Sequence, residues 1–176
     1  NKISKELRGM GCEVLTVDMD VADSNDCIKL LKKAETKFGQ VNVVINNAGM
    51  HARGDLETVA PEEVAAMVDI NLRAPIVLSC AAIPFLRRAG SGAIVNIGSL
   101  AGRAPLQGAA TYSSTTAGLR AFPHALAAEV KEANTDVGVV SPGPVDTGFI
   151  MDAIDQVQGI VFSQAMSSTE KVAAPV

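Results

Sequence analysis

The run Val-Asn-Val-Val-Ile-Asn at residues 41–46 constrains the fold of this 176-residue chain more than any other feature. A nearly continuous β-branched run is typical of a parallel strand that helices cover on both faces. We therefore expect a buried strand here. The run ends in Asn46-Asn47-Ala48-Gly49. These small and polar residues would stand at the carboxyl end of a strand, where open α/β sheets place their ligand crevice.

Strand-like and helix-like segments alternate along the rest of the chain. Apolar residues recur at helical spacing from Cys27 to Phe38, and Gly39 follows as a stop signal. Pro61 and the two glutamates after it predict another helix start, because proline suits the first helical position and acids suit the positive end of the dipole. Further segments are strands at 13–17, 93–97 and 137–140 and a helix at 112–133. This order predicts a single α/β domain over residues 1–176 with a doubly wound parallel sheet.

Pro123 lies near the middle of the predicted helix at 112–133. A proline there removes the hydrogen bond to the Leu119 carbonyl and costs roughly 3 kcal/mol or a kink. Two outcomes stay open: a helix that continues through Pro123, or a helix that ends before Pro123 and restarts.

Composition and charge exclude several classes of function. The net charge of −4, with acids mixed among the lysines of the first forty residues, indicates a solvated helix face rather than a nucleic-acid surface. The longest apolar stretch, 76–86, is interrupted by Ser79 and Pro84 and is too short to span a bilayer, so we expect no membrane role. Three cysteines without metal-ligand spacing predict no metal site. No leader opens the chain, so the default expectation is a cytoplasmic protein.

A serine and a tyrosine indicate the chemistry. Ser99 follows the apolar strand at 93–97. Tyr112, the only tyrosine, stands thirteen residues later at the head of an alanine-rich helical stretch. This pairing predicts carbonyl and alcohol redox chemistry.

Six features, in this order, resemble the short-chain dehydrogenase/reductase family. They are Asp20-Val21, Asn46-Asn47-Ala48-Gly49, Asn71, Ser99, Tyr112 and the Pro-Gly-Pro-Val-Asp-Thr segment at 142–147. The resemblance implies a Rossmann-like fold and interconversion of a secondary alcohol and a ketone with NAD or NADP, the choice between which stays open. It also implies a small-molecule carbonyl or alcohol as the substrate, and a homo-oligomer for the full-length form.

The resemblance implies a role for each residue of the site. Tyr112 would be the general acid or base, Ser99 would hold the substrate oxygen, and Asn71 would hold a water of a proton relay. Asp20 and Val21 would contact the adenine ring, with a helix cap as the alternative for this dipeptide. The other implied cofactor contacts, for which ordinary turns are the alternative, are Asn47, Ala48, Gly49, Pro142, Gly143, Val145 and Thr147.

Thr116 departs from the family pattern, since the resemblance implies a lysine one helical turn after Tyr112. A free tyrosine has a pKa near 10, and an ammonium at that position would lower the pKa and bind the nicotinamide ribose. A threonine hydroxyl can bond a ribose oxygen but carries no charge, and Arg120 lies roughly 12 Å along the helix from Tyr112. We therefore expect this chain to be inactive or strongly impaired.

The family's glycine-rich phosphate motif, TGxxxGxG, is not found in this sequence. The resemblance thus implies a chain truncated at both ends, without the first two strands and the final strand, and with weak binding of the nicotinamide nucleotides. If the other strands keep the family's positions, a gap of roughly 14 Å separates 13–17 from 41–46. Direct pairing of Leu15 with 41–46 would indicate a collapsed sheet.

Two alternative functions stay open. The chain is then either a catalytically silent module for binding or hetero-oligomer formation, or a non-functional fragment.

Residues 146–168 resemble the family's variable substrate lid, which would favour a hydrophobic substrate. A helix pair packed on the core is the equal alternative. The apolar residues of this segment are Met151, Ile154, Ile160, Val161, Phe162 and Met166. His51, just after the asparagine motif, is expected to be an exposed loop residue rather than a wall of the substrate pocket.

Overall fold

The computed structural model describes residues 2–152, 155, 157, 159, 161, 165–174 and 176. Within them the sheet has three parallel strands in the order β1 (Val43–Asn46), β2 (Gly92–Ile97) and β3 (Thr135–Val140). Asn46 of β1 is level with Asn96 of β2, so the carboxyl ends of the strands meet at one edge. The predicted α/β class and the parallel pairing of these three strands are confirmed.

Helices precede and connect the strands. The α-helices are α1 (Lys2–Gly9), α2 (Ser24–Phe38), α3 (Pro61–Val68), α4 (Ala74–Ala89), α5 (Ala110–Glu129), α6 (Gly148–Met151) and α7 (Thr169–Ala173). Short 3-10 turns lie at Leu56–Thr58, Leu100–Gly102 and Lys131–Ala133. As predicted, Gly39 ends α2; it has φ 85°, a left-handed conformation that glycine adopts without strain.

Residues 13–17 form no strand, so this prediction is wrong. Side chains of α1 and α2 contact this segment. Arg8 of α1 donates a hydrogen bond to the Val14 carbonyl, and Lys37 of α2 forms an ion pair with Glu13. A strand needs a neighbour for its backbone hydrogen bonds. Within the described part of the chain β1 pairs with β2 alone, and Leu15 makes no such bond to β1, so the collapsed sheet does not form.

The core lies on one face of the sheet. Helices α2, α4 and α5 pack there against the row formed by Val44, Ile94 and Val137. Its buried members are Cys27, Leu31, Val41, Val44, Leu78, Ala82, Leu86, Ile94, Leu126 and Val130.

The opposite face of β1 is open, contrary to the prediction of a strand covered on both sides. Val43 is 55% exposed and Ile45 49% exposed, while Val44 between them is buried. The β-branched run therefore predicted the strand correctly but not its surroundings, since the helices of the core cluster all lie on the Val44 side.

One long helix carries Asn71 toward the strand ends. It comprises α3, a π-helical turn at Asp69–Arg73, and α4, with Pro61 in the first turn as predicted. By length and composition this 29-residue helix, Pro61–Ala89, is the one among the described residues that could cross a membrane. Its residues Leu78 and Leu86 are buried in the core against α2 and the sheet, which accounts for its apolar composition.

Helix α5 continues through Pro123, so the alternative of a helix that ends before Pro123 is wrong. Pro123 is almost completely buried, and its packing offsets the hydrogen bond that a proline cannot donate. Tyr112 and Thr116 therefore lie in the first turns of an unbroken helix.

Candidate active site

Two asparagines connect the strands next to the site. The Asn46 amide donates to Asn96 Oδ1 at 2.9 Å and to Ser79 Oγ at 3.2 Å. The Asn96 amide in turn donates to the Gly138 carbonyl at 3.2 Å. Because these bonds are buried or partly buried and satisfy polar groups, the two amides help to fix the register of all three strands.

A cavity of about 900 Å³ opens at the carboxyl ends of the strands, where the sequence predicted the ligand crevice. It brings together most of the predicted site residues. Those in its wall are Asn47, Ala48, Gly49, Asn71, Ser99, Tyr112, Thr116, Pro142, Gly143, Val145 and Thr147.

Asp20 and Val21 do not line this cavity. The Asp20 carboxylate accepts a hydrogen bond from Ala22 N at 2.9 Å, and the Val21 carbonyl accepts one from the Cys27 thiol. The dipeptide therefore lies in the turn that leads into α2, whose N-cap is Asp23, with a side chain that accepts from Asn25 N. The contact of Asp20 and Val21 with the adenine ring stays a prediction.

Ser99 and Tyr112 meet in the cavity wall. Ser99 ends the β2 segment and caps the turn Leu100–Gly102, its hydroxyl accepting from Ala101 N at 3.1 Å. Burial raises the pKa of Tyr112 above its usual value, although hydrogen bonding to Ser99 and the charge of Arg53 act in the opposite direction. Tyr112 is consequently a protonated phenol at neutral pH.

The Thr116 hydroxyl is directed back onto its own helix. It donates toward the Tyr112 carbonyl at 2.8 Å and the Ser113 carbonyl at 3.2 Å, and the side chain is only 3% exposed. This local bond is the one that threonine usually makes inside helices. Thr116 thus offers the cavity no charge and no free proton.

Asn71 holds the loop after β1 in place. Its Oδ1 accepts from Met50 N and its Nδ2 donates to the Met50 carbonyl, each at 2.8 Å. The π-helical turn at Asp69–Arg73 aims this buried side chain away from the helix, a common use of such turns near functional sites. Both ends of the amide are engaged by the backbone of Met50, so Asn71 anchors the loop at that residue, and its place in a proton relay stays a prediction.

The loop after Ser99 packs directly against the Tyr112 helix. A Cβ at Gly102 would lie 2.7 Å from the Thr116 carbonyl carbon and 2.8 Å from Ala117 N, closer than side chains approach backbone. Glycine at this position therefore lets the two segments touch. Their contact sets the separation of Ser99 and Tyr112.

Two further residues belong to the site: Arg53, which the sequence did not indicate, and His51, for which the less favoured alternative of a pocket wall is correct. The His51 ring stacks on Tyr112, with centroids 4.1 Å apart and planes at 12°, instead of standing exposed in a loop as expected. Burial and the charge of Arg53 lower the pKa of His51 to about 4, and its Nε2 is buried without a hydrogen-bond partner among the described residues. The one sequence signal was their position just after the asparagine motif.

The segment after Thr147 contributes apolar walls. Phe149 lies 6.2 Å from the Tyr112 ring, centroid to centroid, and Ile150 and Val161 also line the cavity. Val145 pairs with Ser167 in an isolated parallel bridge. Four residues of 146–168 therefore wall the cavity, namely Thr147, Phe149, Ile150 and Val161. Met151 and Met166 are exposed and do not line it, and Ile154, Ile160 and Phe162 lie outside the described residues.

Known proteins resemble the chain in sequence. The sequence model described as short chain dehydrogenase matches residues 1–158. Oxidoreductase BOA17 of Botryotinia fuckeliana is 34% identical over 147 residues, which cover 84% of this chain and 52% of that protein. Ketoacyl reductase HetN of Nostoc sp. is 31% identical over 147 residues, which cover 83% of this chain and 51% of HetN. The chain spans about half the length of these curated relatives.

Solved structures resemble the chain in fold. A short-chain type dehydrogenase/reductase from Mycobacterium marinum superposes with a TM-score of 0.89 over 99% of this chain and 71% of its own, at 20% identity. A short-chain dehydrogenase from Streptomyces avermitilis gives a TM-score of 0.75 over 82% of this chain and 54% of its own, at 28% identity. The first likeness is one of fold alone, and it matches the incomplete Rossmann-like sheet described above.

Proposed function

The chain belongs to the short-chain dehydrogenase/reductase family, and from this premise we propose that it interconverts a secondary alcohol and a ketone with NAD or NADP. The observation that carries the proposal is the convergence of Ser99 and Tyr112 in one cavity at the carboxyl ends of the strands. A carbonyl oxygen between the two hydroxyls would accept a hydrogen bond from each.

The described residues fit the nicotinamide half of the cofactor. The cavity wall carries the Thr147 hydroxyl, the Asn47 amide and small residues at Ala48 and Gly49, which let a ligand approach the backbone. A bound nicotinamide supplies or accepts the hydride. Val145 and Thr147 are proposed to hold its carboxamide, and the glycine-rich phosphate motif is not in this sequence.

The protonation state of Tyr112 favours the reductive direction. A phenol with a raised pKa has a proton to donate to the carbonyl oxygen at neutral pH, whereas oxidation needs the phenolate as base. Reduction should therefore proceed at neutral pH. Alcohol oxidation should rise with pH up to an apparent pKa above about 10.

Thr116 favours a second candidate, a catalytically silent module that keeps the fold for binding or for pairing with an active relative. Its hydroxyl bonds its own helix and supplies no charge to Tyr112. If the chain is an active enzyme, slow chemistry is expected, because the phenol is a weaker acid than the reaction prefers. We also propose a cytoplasmic location, which is the default expectation from the sequence, and a homo-oligomer for the full-length form, which is the family expectation.

Turnover assays test the proposal. Reduction of a generic ketone is followed by the loss of reduced-nicotinamide absorbance at saturating NADH or NADPH. We expect slow turnover in the wild type, none in Tyr112→Phe and less in Ser99→Ala. Saturable nucleotide binding with no hydride transfer in any variant would instead support the silent module.

A further inference from the structure

Arg53 is the single charged side chain in the described lining of the large cavity. The rest of that lining is mostly aliphatic, with a few hydroxyls, amides and the neutral His51. It contains no aspartate or glutamate side chain. The cavity is thus an apolar space with one positive group.

The Arg53 guanidinium is poorly satisfied by the protein. Its described hydrogen bond is a long one, 3.4 Å from Nη2 to the Phe149 carbonyl, and none of the described ion pairs includes it. Asp55 shares a smaller neighbouring cavity with Arg53 but does not come within ion-pair distance of it. A guanidinium has five donors, and a half-buried one without an anion bears an uncompensated cost of desolvation.

The guanidinium lines the same cavity as the Ser99 and Tyr112 hydroxyls. His51, two residues earlier, stacks on the Tyr112 ring, and Phe149, whose carbonyl holds Arg53, faces the same ring from 6.2 Å. The positive charge of Arg53 interacts with Tyr112 and acts to lower the pKa of its phenol. A ligand held between Ser99 and Tyr112 therefore shares one cavity with this cation.

We propose that Arg53 binds a carboxylate of the substrate, which makes the substrate class oxo or hydroxy carboxylic acids with an apolar body. This inference rests on the proposed function, since it assumes that the carbonyl carbon lies at Ser99 and Tyr112. A carboxylate matches the planar fork of an arginine, with two parallel charge-assisted hydrogen bonds. The aliphatic walls would contact the remaining carbon chain.

Tyr112 provides a direct readout of binding. The chain has one tyrosine and no tryptophan, so its tyrosine fluorescence reports on this cavity alone. The probes are levulinate and methyl levulinate, which share a ketone and a carbon skeleton and differ in the carboxylate charge. Levulinate should bind roughly tenfold to a hundredfold more tightly than its ester, the ratio that a charge-assisted hydrogen bond supports.

Arginine variants identify the source of the preference. Arg53→Gln should abolish the preference for levulinate, and Arg53→Lys should retain part of it, because lysine keeps the charge but not the fork. Arg103→Gln is the matched control, since Arg103 is exposed, lies outside the cavity lining and changes the net charge equally. It should leave the preference intact.

Three results would overturn the assignment: equal binding of acid and ester, a preference that survives in Arg53→Gln, or an equal loss in Arg103→Gln. Binding is measured without cofactor turnover. Failure of this inference is therefore distinguishable from failure of hydride transfer, which the Tyr112→Phe assay reports separately.

Discussion

The substitution Thr116→Lys should lower the pKa of Tyr112 by about 2 units. Side chains four residues apart on a helix lie roughly 6 Å from each other. A unit charge at that distance, at an effective dielectric constant of about 20, favours the phenolate by about 3 kcal/mol. That energy corresponds to about 2 pKa units. Thr116 already lines the cavity, so a longer side chain has open space to enter.

The assay is a spectrophotometric titration of the phenol in the near ultraviolet. Because Tyr112 is the only tyrosine and tryptophan is absent, the phenolate absorbance belongs to one residue. The wild type should titrate above its ordinary value near 10, as burial requires. Circular dichroism at each pH would verify that the chain remains folded.

Thr116→Met is the control, because methionine has nearly the length of lysine without the charge. If the lysine and methionine variants shift the Tyr112 pKa equally, charge is not the cause and the reasoning is refuted. The same comparison applies to turnover: the lysine variant alone should gain roughly tenfold to a hundredfold.

Three further predictions concern His51, Gly102 and the affinity for nicotinamide nucleotides. The free energy of unfolding should fall as pH decreases from about 6.5 to about 4, because folded His51 has a pKa of about 4 and the unfolded chain binds the proton more readily. The difference between the folded and unfolded pKa values of His51 limits this loss of stability to about 3 kcal/mol, and partial exposure reduces it to about 1 to 2 kcal/mol. Denaturant titrations of His51→Phe over the same pH range should show no such loss. Gly102→Ala should cost about 1 to 3 kcal/mol of stability, while Gly138→Ala, with open space around its Cβ, should cost less. NADH and NADPH should bind with affinities weaker than about micromolar in calorimetric titration, because the glycine-rich phosphate motif is not in this sequence. Micromolar binding would show that the motif is not needed for tight binding.

The sequence predicted the strands of the sheet because their apolar runs carry a local signal that tertiary context did not override. Residues 43–46, 92–97 and 135–140 lie within or close to the predicted segments. The motifs at their carboxyl ends converge because parallel strands end at one edge. Local sequence patterns thus predicted most of the residues that line the cavity.

The rest depends on partners that a local pattern does not contain. Residues 13–17 have strand-like residues but no described neighbour to pair with. Ile45 is exposed for a related reason, because the burial of a strand residue depends on which other elements pack against that strand. Pro123 is tolerated because the core surrounds it. The stacking of His51 on Tyr112 joins residues far apart in sequence, so spacing gave no sign of it.

Transfer of deuterium from a labelled reduced nicotinamide to a ketone tests the central claim most directly. Mass spectrometry of the alcohol product detects even slow chemistry, so weak cofactor binding and the missing charge at Thr116 do not hide it. We expect label in the product of the wild type, more label with Thr116→Lys, and none with Tyr112→Phe. Label absent from the products of both the wild type and Thr116→Lys, with saturable nucleotide binding retained, would contradict it and identify the chain as a silent module.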